Sequence, residues 1–240
     1  MKIEVLYPKF CNFYGDPYNI KYLSRCSDDI KVYYTDINEK PKFINGKIDM
    51  IYLGAMSHVH QELIIDNLKP YKKQIMDFIE KGKIFLVTSD AIEIIGKYIL
   101  DVDTNKKIEG LGLFDVYFER NLLKRKNYFF LGEYKNIKMV GSVSTFSTMY
   151  GDDTKSFIKI IKGLGMGNNN TVEGINYKNF YATYLIGPLL ILNPKFTKLL
   201  LKKMGYTGKL CYEKDIMAAY KHRLNELLDD NARVIMSDHG

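Results

Sequence analysis

Short apolar runs alternate with amphipathic stretches through the first hundred residues. Ile3 to Tyr7, Ile30 to Tyr34, Ile48 to Leu53 and Ile84 to Val87 read as buried strands, each bounded by turn residues. Asp16 can cap a helix that has Pro17 at its first position and continues through Ile20, Leu23 and Cys26. Glu62 to Lys81 places Ile64, Leu68, Tyr71, Ile75, Phe78 and Ile79 on one helical face, and Pro70 predicts a kink or a split. From Lys83 to Leu100 a strand feeds a helix, because Ile92, Ile95 and Ile99 recur at helical spacing after the apolar run. Thr88-Ser89-Asp90 is the turn, and Ser89 stands at the corner, capping the helix. A strand-to-helix corner of this kind lies above the carboxyl edge of a sheet, where helix N-H groups converge on whatever binds.

Beyond Asp101 the pattern changes to short strands separated by Asn, Gly and Lys-rich turns: Gly110 to Tyr117, Tyr128 to Leu131, Ile137 to Val140 and Phe157 to Ile161. They predict an antiparallel extension between about residues 105 and 165. Tyr181 to Ile186 is a further strand, Asn193 and Pro194 open a helix, and a last helix covers about Glu213 to Leu228. Asn231 to Gly240 is expected to fray. With no linker-like break in composition, the expectation is one α/β domain over residues 1–240, with a mostly parallel central sheet and helices on both faces.

Composition and charge narrow the function. The formal charge is +7, but the lysines are spread along the chain among 28 acidic residues, which argues against a nucleic-acid surface. Arg120 to Lys126, the densest basic cluster, reads as a solvated loop. Three cysteines without a CxxC pair suit a reducing compartment, and no apolar run is long enough for a membrane span, so the chain reads as cytoplasmic. His58 and His60 form an HxH pair with no third ligand in sight, so no metal is expected. The glycines of Gly163 to Asn170 lack a strand-to-helix context and read as turn, and no free cofactor is expected. His222 and His239 read as solvated. The aromatics Tyr7, Phe10, Phe13, Tyr14, Tyr18 and Tyr22 read as core or rim, with a partner surface as the alternative.

Several separated blocks resemble one family. They are Leu6-Tyr7-Pro8 with Asn12 to Asp16 and Asn19-Ile20, then Asp49 to Gly54, Ile94 to Tyr98, Glu109 to Asp115, Thr171 to Gly174, and Thr183 to Leu190 with Asn193-Pro194. Together, over about residues 3 to 204, they are similar to the cobyric-acid-synthase-type class I glutamine amidotransferases, in particular the stand-alone glutaminase subunits whose partner acts on a peptidoglycan precursor. The resemblance implies a three-layer α/β/α sandwich in which an elbow cysteine attacks the glutamine side-chain amide and a late-strand histidine is the base. It also implies an ATP-dependent, Mur-ligase-like partner that receives the ammonia.

The departures fall where that chemistry would be done. The elbow of relatives reads Ile-Cys-Gly-Gly-Tyr-Gln, and here it is Thr88-Ser89-Asp90-Ala91-Ile92-Glu93. Ile186 stands where the resemblance places the histidine, and Gly54-Ala55-Met56-Ser57-His58 replaces a glycine-rich loop that supplies oxyanion donors. Gly141 to Thr145 replaces a Gly-Phe-Glu-Asn-His segment, and the arginine that holds the glutamine carboxylate aligns with Phe129, with Arg120 and Arg125 near in sequence. An alcohol is far harder to ionise than a thiol with pKa of about 8.5, so Ser89 needs a base that Ile186 does not offer. The expectation is a non-catalytic subunit with a vestigial site around Gly54, Ser89, Asp90, Thr183, Tyr184 and Ile186. The alternative is an enzyme that rebuilds a triad from Ser89 with His58 or His60 and an acid such as Asp66.

Overall fold

The computed structural model describes residues 1–235. Lys2–Leu6 (β1) leads through the helix Pro17–Cys26 (α1) to Lys31–Thr35 (β2), and Met50–Leu53 (β3) follows. His58–Leu68 (α2) and Lys72–Glu80 (α3) then lead to Ile84–Thr88 (β4). The amphipathic stretch is therefore split around Pro70, where a 3-10 turn, Lys69–Tyr71, joins the two helices. β1, β2, β3 and β4 pair in parallel in the order β2-β1-β3-β4. The chain moves one way from β1 to β2 and the other way from β3 to β4, so right-handed crossovers put α1 and the α2-α3 pair on opposite faces. The carboxyl ends of β1 and β3 flank the point where that direction reverses, which is where open α/β sheets bind ligands.

The expected helix after β4 is instead a seven-residue 3-10 run, Ser89–Ile95. It is short because Gly96 must lie flat against Tyr98–Asp101 (β5) and Val116–Arg120 (β7): a Cβ on Gly96 would meet the Phe118 ring and the Val116 carbonyl at 2.7 Å. Lys106–Glu109 (β6), Lys126–Tyr134 (β8), Ile137–Thr145 (β9), Ser147–Gly151 (β10), Ser156–Lys162 (β11), Val172–Tyr177 (β12) and Phe180–Thr183 (β13) complete the strands. They form two structures, which corrects the expectation of one extension. β12, β11, β8 and β9 continue the main sheet beyond β13 with antiparallel pairing, giving the nine-stranded order β2-β1-β3-β4-β13-β12-β11-β8-β9. Four of its ladders are parallel and four antiparallel, so the sheet is mixed more evenly than the strand-helix pattern implied.

β10, β7, β5 and β6 form a separate four-stranded sheet. On its outer face Tyr98, Tyr117 and Tyr150 stack across three strands, with centroids 5.0 and 5.4 Å apart and rings within 20° of parallel. Lys107 covers the free face of Tyr98 at 4.3 Å.

Leu189–Leu192 (α4), Pro194–Lys203 (α5) and Glu213–Leu228 (α6) follow β13 and pack with α1 on one side of the main sheet. Asn193 does not cap α5. Its amide instead clasps β9, with Nδ2 donating to the Val140 carbonyl at 2.8 Å and Oδ1 accepting from the Val140 N-H at 2.8 Å. Of the stretch expected to fray, residues 231–235 are held, the Phe129 N-H donating to the Val234 carbonyl at 2.8 Å and Ile235 bridging to Tyr128, and residues 236–240 lie outside the described ones. His222 is exposed beside Glu226, and His239 lies outside the described residues. Among the described residues no helix is long and apolar enough to cross a membrane, and no group of three or more His, Cys, Asp or Glu is placed to hold a metal ion.

Candidate functional site

The corner between β4 and the 3-10 run keeps the geometry of a nucleophile elbow. Ser89 has φ of +56°, a left-handed conformation that costs a non-glycine residue on the order of 1 kcal/mol or more. Its hydroxyl does not cap the helix, contrary to the sequence reading, because that backbone conformation turns it away from the following N-H groups. Ser89 is fully buried and its Oγ has no hydrogen-bond partner. No base touches it. Ile186 is half-buried and ties its N-H to the Ser142 carbonyl at 3.0 Å.

The histidine set is not brought together around that hydroxyl. His60 Nδ1 lies 3.1 Å from Ser57 Oγ and its ring packs edge-on against Phe10. Asp66 lines a shallow depression with Asn38 and Glu39, and His58 faces the Phe146 ring. Burial, and then the Arg120 guanidinium, lower the pKa of His58.

Asp16 was read as a cap for α1, and the structure gives it a different role. Its carboxyl turns inward to accept from the Ala55 N-H at 2.5 Å and from Thr88 Oγ1 at 2.6 Å. A Cβ on Gly187 would lie 2.3 Å from its Oδ1, so the β13 end passes directly against it. Asp16 thus knots together the carboxyl ends of β3, β4 and β13. Burial pushes its pKa up to about 6, against the pull of the Thr88 and Ala55 hydrogen bonds. The knot occupies the Ala55 N-H, which is then not free to stabilise an oxyanion. Gly54 sits just behind, where a Cβ would lie tightly, 3.0 Å from the Cys11 carbonyl and 3.2 Å from Asp16 Oδ2.

Thr183 and Tyr184 are committed elsewhere. Thr183 Oγ1 donates to Glu173 at 2.9 Å and the Tyr184 N-H donates to Glu173 Oε1 at 2.6 Å. Burial raises Glu173 to about 7. A small void of about 20 Å³, room for a single water, lies beside Glu173 and Tyr184.

The open space is on the other side of the elbow, a cavity of about 200 Å³ lined by Phe13, Tyr14, His58, Asp90, Arg125 and Phe146 around a polar floor. That floor is a chain of contacts from Asp101 to the elbow: Arg120 Nη2 lies 3.5 Å from Asp101 Oδ2, and its Nη1 donates to Gln61 Oε1 at 2.7 Å. Gln61 Nε2 in turn donates to Glu93 Oε2 at 2.9 Å and to the Asp90 carbonyl at 3.2 Å. Arg120 is only 5% exposed, which corrects its reading as part of a solvated loop. Arg125 is exposed and lies over the Phe146 ring at 4.6 Å. Burial and the adjacent Glu93 push Asp90 well above the usual carboxylate range, and burial also raises Glu93. Of the residues expected to bind a ligand, only Asp90 lines this cavity, while Gly54, Ser89, Thr183 and Tyr184 do not. The contacts that join Gln61, Glu93 and Arg120 are not legible in the sequence because the partners lie between 19 and 59 residues apart, beyond any local periodicity.

Comparison with known proteins agrees with this architecture. The chain is 26% identical over 236 residues to the lipid II isoglutaminyl synthase (glutamine-hydrolyzing) subunit GatD of Streptococcus pneumoniae, an alignment covering 91% of this chain and 87% of that one. It is 28% identical over 207 residues to the subunit of the same name from Staphylococcus aureus, covering 80% and 79%. Two solved glutamine amidotransferases share the fold at 12% identity. One superposes with a TM-score of 0.57 over 85% of this chain and 99% of its own, and the other, from Thermotoga maritima, with 0.50 over 94% and 91%. Residues 2–193 match the CobB/CobQ-like glutamine amidotransferase domain, and the chain belongs to that family.

Proposed function

We propose that this protein is an amidotransferase-like subunit that does not hydrolyse glutamine and that serves an ATP-dependent, Mur-ligase-like partner acting on a peptidoglycan precursor. The observation that carries the reading is the Ser89 hydroxyl, which sits at the elbow with no hydrogen-bond partner and no base in contact. Amide attack needs an ionisable nucleophile, a proton acceptor and donors for the oxyanion. Here the nucleophile position holds an alcohol, position 186 holds a hydrocarbon, and the Ala55 N-H is taken by Asp16. Where nucleophile and base act as a unit, loss of either removes a factor on the order of 10⁶ in rate. The partner assignment is supported by the names of the two curated relatives, each a subunit of a lipid II isoglutaminyl synthase.

The test is glutamine turnover by the purified chain, alone and mixed with a candidate ligase partner. The expected result is no ammonia release above background in either case. Turnover that disappears in Ser89→Ala would overturn the reading.

A further inference from the structure

The elbow cavity holds two carboxyl groups with no cation in direct contact, although Arg120 and Arg125 both line it. Residues three apart on a 3-10 helix eclipse one another, so Asp90 and Glu93 project from the same side of the Ser89–Ile95 run, and both line the cavity. Among the described residues no lysine or arginine lies within ion-pair distance of either. Arg120, the nearest buried cation, is held off by its contacts to Gln61 and Asp101. Two polar atoms in the wall lack any partner, Asp90 Oδ1 and Arg120 Nε, although Arg120 is nine-tenths buried. Unsatisfied groups of this kind are costly in a native core and mark places where something else completes the bonding. The remaining lining is aromatic at the mouth, Phe13, Tyr14 and Phe146, with the exposed guanidinium of Arg125 at the rim.

We propose that this cavity binds a small basic amino acid, its side-chain ammonium against Asp90 and Glu93 and its carboxylate at Arg125, in preference to a ligand ending in a neutral amide. The proposal rests on the reading that glutamine is not hydrolysed here, and it adds the chemistry of what occupies the site instead. An ammonium brought between the two carboxyls places a counter-charge in direct contact with them and offsets the burial that pushes both toward the neutral form.

Calorimetry on the whole chain with L-ornithine, L-glutamine and L-norvaline tests this. Ornithine and glutamine carry their terminal nitrogen at the same position along the chain, and norvaline ends in a methyl group. Ornithine is expected to bind at least about tenfold more tightly than the other two. Asp90→Asn and Glu93→Gln should bring the three ligands within about twofold of one another. Arg125→Ala, at an exposed rim position that leaves the core intact, should weaken ornithine but not 1,4-diaminobutane, which lacks the carboxylate. Equal affinity for glutamine or norvaline, or no binding of ornithine up to about 10 mM, overturns the proposal. Ammonia release from glutamine would instead overturn the reading beneath it, so the two failures are distinguishable.

Discussion

Glu4 and Glu93 are buried carboxyl groups in one molecule, with Asp90 half-buried beside Glu93, and the two places are treated in opposite ways. Glu4 is fully buried, and each of its oxygens has a donor: Thr35 Oγ1 at 2.5 Å, the Lys42 N-H at 2.7 Å and the Phe43 N-H at 2.6 Å. It pins the β2–β3 connection to the middle of β1. Asp90 and Glu93 share the single amide of Gln61, which reaches one carboxylate oxygen and one backbone carbonyl, and they face an open cavity. A buried acid with its full set of donors belongs to the scaffold, whereas a crowded pair left short of donors beside empty space belongs to a site.

Substitution can sharpen that contrast. Glu4→Ala should have the largest effect of the single substitutions, since it strands two backbone N-H groups and a hydroxyl in the core. A loss of about 3–4 kcal/mol in denaturant unfolding is expected. Next is a pH effect from the two carboxyls raised by burial, Asp16 to about 6 and Glu173 to about 7. Each binds its proton more tightly in the folded than in the unfolded chain. Stability is therefore greatest below their unfolded values, near pH 4, and falls as pH rises through 6 and 7, by on the order of 3 kcal/mol for each group. The thermal midpoint should drop by several degrees between about pH 5 and 8, and Glu173→Gln should flatten the upper part of that slope.

Smaller effects are expected at the elbow. Ser89→Gly relieves the left-handed strain and should raise stability by about 0.5–1 kcal/mol, a gain that a working nucleophile would turn into a loss of activity. Asp90→Asn removes half of the crowded pair and should change stability by less than about 1 kcal/mol in either direction, far less than Glu4→Ala. Equal losses at Asp90 and Glu4 would erase the distinction between scaffold and site.

Much of this architecture was legible in local pattern. The break at Pro70, the last helix from Glu213 to Leu228 and the Ser89 corner all follow from apolar spacing and breaker residues, which act over a few positions. The second sheet was not legible, because Tyr98–Asp101 continues an apolar spacing that reads as helix, Lys106–Glu109 and Ser147–Gly151 carry no clear strand pattern, and pairing partners are fixed by tertiary packing rather than by propensity. Asp16 shows the same limit within the site. Asp-Pro is a helix-start signal by sequence, and the chain uses the proline as expected while sending the carboxyl 39 residues away to Ala55. Arg120 sat in a basic run that suggested solvent, and only the pairing of β5 with β7 revealed that it faces Asp101 and Gln61 across the floor of the cavity.

The stacked Tyr98, Tyr117 and Tyr150 have a practical consequence. The chain contains 19 tyrosines and no tryptophan, so its near-ultraviolet dichroism comes chiefly from phenol rings. Three of them held face to face couple their transitions more strongly than isolated ones, and they bind three strands of the small sheet into a single optical unit. Loss of that signal before the far-ultraviolet bands change would report the small sheet opening ahead of the main one, with no label attached.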